Sequence, residues 1–169
     1  GDCLFYSFAA ALDQMVRCDV DAAAHVYAAL PDFGALSHYD LMILLRKRSA
    51  QELKEWHPEA FLDFLNSRVM DYRAGHPYWQ DKWNPEYLLK KHGFECILNC
   101  ESVQAVGDDV EGEADDLIVS VASGGRDYRH KVSQGKTKLF LLGDELVEKW
   151  QIPGINHWGD QGDIKRLSD

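Results

Sequence analysis

No segment of this chain approaches the roughly 18 consecutive apolar residues that a bilayer-crossing helix requires, and no charged-then-apolar leader precedes the first amphipathic stretch. The sequence therefore reads as that of a soluble protein without membrane insertion. Basic residues are scarce, with 18 Lys and Arg against 28 Asp and Glu and a formal charge of −10. That imbalance repels nucleic acid and favours a partner with a basic patch, which argues against a nucleic-acid enzyme. Cysteine is limited to Cys3, Cys18, Cys96 and Cys100, with no CxxC pair and no Cys/His cluster at zinc spacing. A disulfide framework and a structural zinc site are thus not expected. The pattern points to a reducing, cytoplasmic setting, in which a free thiol can serve as a nucleophile. Internal repeats and low-complexity linkers are absent as well.

What is present suffices for one domain, 1–169. At 169 residues, 46% hydrophobic and 11% aromatic, the chain can bury a full core and offset the entropy of ordering itself. Its patterning divides into a helical first half and a strand-prone second half, an α+β arrangement. Leu4, Phe5, Phe8, Leu12, Met15 and Val16 recur at helical spacing, so a helix begins at or just after Cys3. Further starts are expected at Asp21, at Ser37, at Ser49 with Glu52 as a capping box, at His57-Pro58 and at Asn84-Pro85; Pro31, Gly75 and Gly93 supply stops. From Phe94 the period shortens. The runs FECILN, LIVSVA, RDYRHKVS and TKLFLL, punctuated by SGG and QGK, predict an antiparallel meander. Residues 101–116 carry seven acidic side chains and no Lys or Arg, and are expected to form a long acidic loop. The plainest reading of that loop is a solvated charge run, and a sharper one is attraction of a basic ligand. Tyr78, Trp79 and Trp83 read as core aromatics before a helix, with a substrate groove as the alternative.

A thiol attacks only as thiolate, and a helix N-terminus favours that anion through its unpaired N–H groups and the positive end of its dipole. The predicted start of the first helix gives Cys3 this setting, and the same N–H groups can stabilise an oxyanion. His157 stands out among seven histidines because it lies in a loop of small and polar residues, PGINHWGDQGD, beside Trp158. Spacing alone leaves the alternatives open: a cysteine next to Leu-Phe is more often a core residue, and a lone histidine more often a surface or core residue.

Gly1-Asp2-Cys3-Leu4-Phe5-Tyr6-Ser7 resembles the cysteine-loop motif of the ovarian-tumour (OTU) family of cysteine deubiquitinases. There an Asp-Gly pair, one small polar residue, the nucleophile and then Leu-Phe lead into the first helix. WQDKWNPEYLLKKHG, residues 79–93, is similar to the family's Trp-led stretch, which runs into a helix and closes with Gly before a buried strand. TKLFLL followed by Asn156-His157-Trp158 resembles the family's last core strand and its histidine-aromatic pair.

The resemblance implies a papain-like OTU fold with a helical N-terminal half packed on a small antiparallel-rich sheet. It implies a thiol protease that hydrolyses isopeptide bonds at the ubiquitin C-terminus, with ubiquitin or polyubiquitin as partner and no metal or cofactor. Cys3 would be the nucleophile, His157 the base, Gly1 and Asp2 the oxyanion hole, and Trp158 a substrate contact. The family's orienting residue two places after the histidine is Gly159 here. Asp160 is the first expectation for that role, with Asn156 or the family's aspartate three places before the nucleophile, upstream of Gly1, as alternatives. Gly1 already belongs to the motif, so the natural N-terminus is expected further upstream. The long connection from Gly143 to Asn156 suits OTU-like bacterial effectors, which act in a host cytosol. Two rivals share these residues: an inactive ubiquitin-binding domain, and a Cys-His deamidase or acyltransferase.

Overall fold

The computed structural model describes residues 2–74, 84–112, 114–153 and 159–168. Among these residues the chain runs α1 (Cys3–Cys18), α2 (Val20–Ala29), α3 (His38–Lys54), α4 (Pro58–Arg73) and α5 (Pro85–Lys91). A sheet follows, β1 (Ser102–Asp108), β2 (Leu117–Ser123) and β3 (Arg126–Val132), and then α6 (Gly135–Trp150) and α7 (Gln161–Ser168). The sheet is antiparallel in the order β1-β2-β3, with a bulge between Val103 and Ala105. The α+β class and a helical first half stacked on a small antiparallel sheet are therefore observed, with α4 lying on β1.

Local chemistry explains most boundaries. The Asp19 carboxylate accepts the N–H groups of Asp21 and Ala22 at 2.9 and 3.0 Å, so α2 starts just before the expected Asp21. Ser37 caps α3 through the N–H of Asp40 at 3.1 Å, and Asn84 caps α5 through Glu86 and Tyr87 at 2.8 and 3.2 Å. Pro58 and Pro85 occupy first turns, where a missing N–H costs nothing. Gly93 ends α5 at φ +81°, a conformation that glycine adopts without a Cβ clash. The Ser123-Gly124-Gly125 hairpin turn is as expected: both glycines have positive φ, 59° and 74°, as a tight two-residue β-hairpin requires.

Five expectations are corrected. TKLFLL is the first part of α6 and not a strand, because Leu139, Leu142, Leu146 and Trp150 face the core at helical spacing while Phe140 and Leu141 face out. Gly143, which looked like a strand end, lies inside that helix where α6 meets α3; an added Cβ would stand 2.8 Å from Lys54 Cγ. FECILN holds a short 3-10 turn, Glu95–Ile97, with Phe94, Ile97 and Leu98 buried at spacings of three and four instead of alternating. Cys96 lies within this turn and Cys100 just after it, half-buried and buried, and burial pushes both thiols above their ordinary value. The acidic loop is half strand: β1 takes residues 102–108, and Val103 packs into the core. Finally, Ser49 and Glu52 do not start a helix. α3 runs through them, and Gln134, expected in a hairpin turn, is the left-handed residue (φ 54°) that precedes α6.

The core has two lobes that share α3. Leu41, Met42 and Leu45 pack with Phe5 and Ala9 of α1 and with Phe33, while Ala50 and Leu53 pack with α4, the sheet and α6. Between these apolar halves α3 carries Arg46 and Ser49, both fully buried.

The stretch 75–83 is bracketed by a bidentate pair in which Arg73, the last residue of α4, donates to Glu86 at 3.1 and 3.0 Å. Hydrogen bonds from Arg73 and Lys90 hold the Glu86 carboxyl down at about 2, against an ordinary 4.5. A depressed carboxyl stabilises the fold above its unfolded value and loses that contribution as pH falls through the folded one. Glu86→Gln should therefore lower Tm by about 1–3 °C at pH 6, the scale of an exposed ion pair in a domain this size. In thermal melts the gap from wild type should close as pH falls from 4.5 toward 2; a gap of constant size across that range would refute the assignment.

Candidate functional site

Cys3 is the first residue of α1 and its side chain is exposed. Phe5 and Ala9 on the same helix are fully buried, so the apolar stripe that anchors α1 also fixes where the helix begins. The first turn holds no acidic residue and takes no side-chain cap. At the far end of the same helix stands Cys18, also exposed.

Asp2 precedes the helix, and its carboxylate accepts an N–H from Arg46 NH1 at 2.8 Å. Arg46 also donates from Nε to the Trp150 carbonyl at 2.8 Å and lies over the Phe5 ring at 5.0 Å. One buried guanidinium thus joins the turn before Cys3 to the last residue of α6. Burial pushes this guanidinium below its ordinary value, and the Asp2 and Asp163 carboxylates pull it back.

A second set of buried groups secures α7. The Ser49 hydroxyl donates to Asp163 Oδ1 at 2.5 Å and accepts from Arg166 Nε at 2.9 Å, while Arg166 NH2 reaches the same carboxylate at 2.9 Å. Asp163 Oδ2 accepts the N–H of Asp160 at 2.8 Å. Asp160 in turn caps α7, its Oδ1 accepting from Gly162 and Asp163 at 2.8 and 3.2 Å, and its Oδ2 pairs with Arg68. The Arg166 guanidinium sits among the Trp56, Phe64 and Trp150 rings at 5.4 to 5.8 Å.

Of the residues singled out in the sequence, Cys3, Asp2 and Asp160 are placed. Gly1, Asn156, His157 and Trp158 lie outside the described residues, as do Gly75, Tyr78, Trp79 and Trp83. The chain re-enters at Gly159, whose backbone rests on the side chain of Leu4; a Cβ there would stand 2.7 Å from Leu4 Cβ. The residue two places after His157 therefore touches the residue that follows Cys3. No group of three or more His, Cys, Asp or Glu suited to a metal ion occurs among the described residues. Three of the acidic residues before β2 are engaged internally: Asp109 and Asp116 with Lys131 at 3.2 and 3.4 Å, and Asp108 with Lys136 at 3.1 Å. That favours the plain reading of the charge run over a basic-ligand site.

Sequence reasoning passed over Arg46, read Ser49 only as a helix cap, and passed over Arg68, Asp163 and Arg166. A signal existed for the first two: they fall on the stripe Met42, Leu45, Arg46, Ser49, Ala50 and Leu53, where helical spacing calls for apolar residues. The other three carried only the local pair of Asp163 with Arg166, three apart on α7; their bonds to Ser49 and the pair of Arg68 with Asp160 join residues distant in sequence.

No family model, no curated protein and no solved structure was found to match this chain.

The contact of Gly159 with Leu4 is checked by a double-mutant cycle. Gly159→Ala should destabilise by about 1–3 kcal/mol in urea unfolding, the usual cost of overpacking. Adding Leu4→Gly removes the Cβ that the new methyl group would meet, so the pair should cost clearly less than the sum of the single variants. Simple additivity would mean that the two segments do not touch.

Proposed function

We propose that the protein is a cysteine deubiquitinase of OTU type, with a papain-like Cys-His site that hydrolyses the isopeptide bond at the ubiquitin C-terminus. The observation that carries the reading is the meeting of two distant segments: α1 begins at Cys3, and the chain leaving the His157-Trp158 pair lies against Leu4. A nucleophile and its base must come within hydrogen-bond reach, and Gly159, two places after His157 in the chain, lies against the residue that follows Cys3. The ubiquitin assignment rests on the motif resemblance of residues 1–7 and of Asn156-His157-Trp158. The runs expected as family strands at FECILN and TKLFLL are helical here, so those segments lend the reading nothing.

In this reading His157 takes the Cys3 proton, and the thiolate attacks the carbonyl carbon of the ubiquitin C-terminal glycine. The oxyanion is met by backbone N–H groups at Gly1 and Asp2, near the positive end of the α1 dipole. Collapse of the adduct expels the lysine amine, which receives the proton from His157. Water, deprotonated by His157, then hydrolyses the thioester and releases Cys3. Asp160 is the orienting acid. Its carboxylate accepts three contacts from Gly162, Asp163 and Arg68 among the described residues. Of the about four lone-pair sites on a carboxylate, one is left for an imidazole N–H. Trp158 would face the substrate tail.

The decisive experiment is incubation with ubiquitin bearing a C-terminal electrophile, followed by mass spectrometry. A single adduct on Cys3 is expected, absent in Cys3→Ala, and a folded protein that gives none would favour the binding-domain or deamidase rivals. Cleavage of a fluorogenic ubiquitin substrate should be abolished equally by Cys3→Ala and His157→Ala, because members of one catalytic unit do not lose function additively. Asp160→Ala should cost about tenfold to a thousandfold, less than either, since it positions the base without handling the transferred proton. A silent Asp160→Ala beside a severe Asn156→Ala would move the orienting role to Asn156.

A further inference from the structure

Asp2 occupies the position from which an aspartate ordinarily caps a helix, yet its side chain makes no cap. A capping aspartate has extended backbone and accepts the N–H of the second or third helical residue. Asp2 instead has φ −93° and ψ 0°, and its carboxylate is held by Arg46 NH1 at 2.8 Å. Arg46 cannot follow the carboxylate outward, because its Nε is tied to the Trp150 carbonyl and its side chain is fully buried. Its NH2 is buried with no partner among the described residues. A guanidinium in this position is costly, since burial of charge and an unsatisfied nitrogen both oppose folding and a methionine would fill a similar volume without either penalty. Packing alone does not account for the residue.

We infer that Arg46 is a positioning residue for Cys3: it draws the Asp2 carboxylate off the N-terminus of α1 and cancels its charge, so that the helix end acts on the thiolate. The inference rests on the reading of Cys3 as the nucleophile. Without Arg46, Asp2 loses this ion pair, and the N–H groups of Leu4 and Phe5 offer its carboxylate the ordinary capping geometry. The helix end would then be occupied, and a carboxylate would stand beside the sulfur that must become anionic. Both changes oppose attack by Cys3 in the same direction. Arg46 achieves this without touching substrate, and its bond to Trp150 links the same turn to the end of α6, a few residues before His157.

The test uses the reactivity of the thiol itself and so does not depend on ubiquitin. Alkylation of Cys3 by iodoacetamide at neutral pH is followed by peptide mass spectrometry, with Cys18, exposed at the other end of α1, as internal reference. Arg46→Met should slow Cys3 relative to Cys18 by about tenfold, the combined scale of a lost helix-end effect and an added like charge. Asp2→Ala on that background should restore the rate to within about threefold of wild type, because the charge that Arg46 restrained is gone. A structural role for Arg46 gives the opposite result, a double variant as slow as Arg46→Met or slower, and that overturns the inference. Should Arg46→Met fail to fold by circular dichroism, Asp2→Ala alone decides: a rate raised about twofold to threefold supports the inference, and an unchanged or slower rate ends it. If these rates behave as expected but wild type forms no ubiquitin adduct, the positioning role stands and the deubiquitinase reading falls.

Discussion

The architecture depends on one helix having to satisfy two neighbours at once. α3 gives its first half to the lobe built with α1 and its last residues to the lobe built with α4, the sheet and α6. Where the lobes meet, its buried face is polar, and Arg46 and Ser49 take partners from Asp2, from Trp150 and from α7. Apolar residues there would bury the helix equally well but would accept many registers of the neighbouring segments. Hydrogen bonds at 2.5 to 2.9 Å do not.

The polar seam is also an ionic balance. Arg46, Arg68 and Arg166 face Asp2, Asp160 and Asp163, so no net charge is carried inward by these six side chains. Buried ion pairs of this kind contribute little net stability, because desolvation consumes most of the Coulomb gain, but removing one member leaves its partner stranded at high cost. The consequence is specificity more than strength. α7 has only eight residues and few apolar contacts of its own, so its seat on α3 is fixed by Asp163 and Arg166 pairing with Ser49. Through Gly159 and Asp160, that seat determines where the chain leaves the His157 segment.

Legibility in the sequence followed the range of the interactions. Helix starts at Ser37, Pro58 and Asn84, the stop at Gly93 and the hairpin at Gly124-Gly125 are local devices, readable from a few adjacent residues. TKLFLL failed because its six residues are compatible with either period; only Leu146 and Trp150, beyond the apparent stop at Gly143, show the helical repeat. β1 was hidden by its charged surroundings, since Asp108 and Asp109 made the stretch look like loop, and by its bulge, which sets the inward Val103 and Val106 three apart instead of two. At the site, the placement of Cys3 at a helix N-terminus was legible for the same local reason. Arg46 joins residues 44 and 104 positions away, and no local pattern states such a partnership. Only the presence of an arginine and a serine on an apolar stripe hinted that something polar waited opposite.

That hint bears on how stability and chemistry are coupled in this chain. Cys3 is surface-exposed and contributes nothing to the core, yet the turn that carries it is held by a fully buried residue. A thiol on a freely fraying helix end would lose its relation to any base, because the first turn of an unanchored helix opens readily. Here the first turn is clamped from within by Phe5, seated under the Arg46 guanidinium, and from behind by Asp2. The returning chain closes over it at Leu4. Asp2, Leu4 and Phe5, on either side of Cys3, are thus fixed by packing or by charge, while Cys3 itself is exposed. The buried Arg46 and Phe5 thus define the position of one exposed surface thiol, so packing in the core and the geometry of the helix end are coupled through the same two residues.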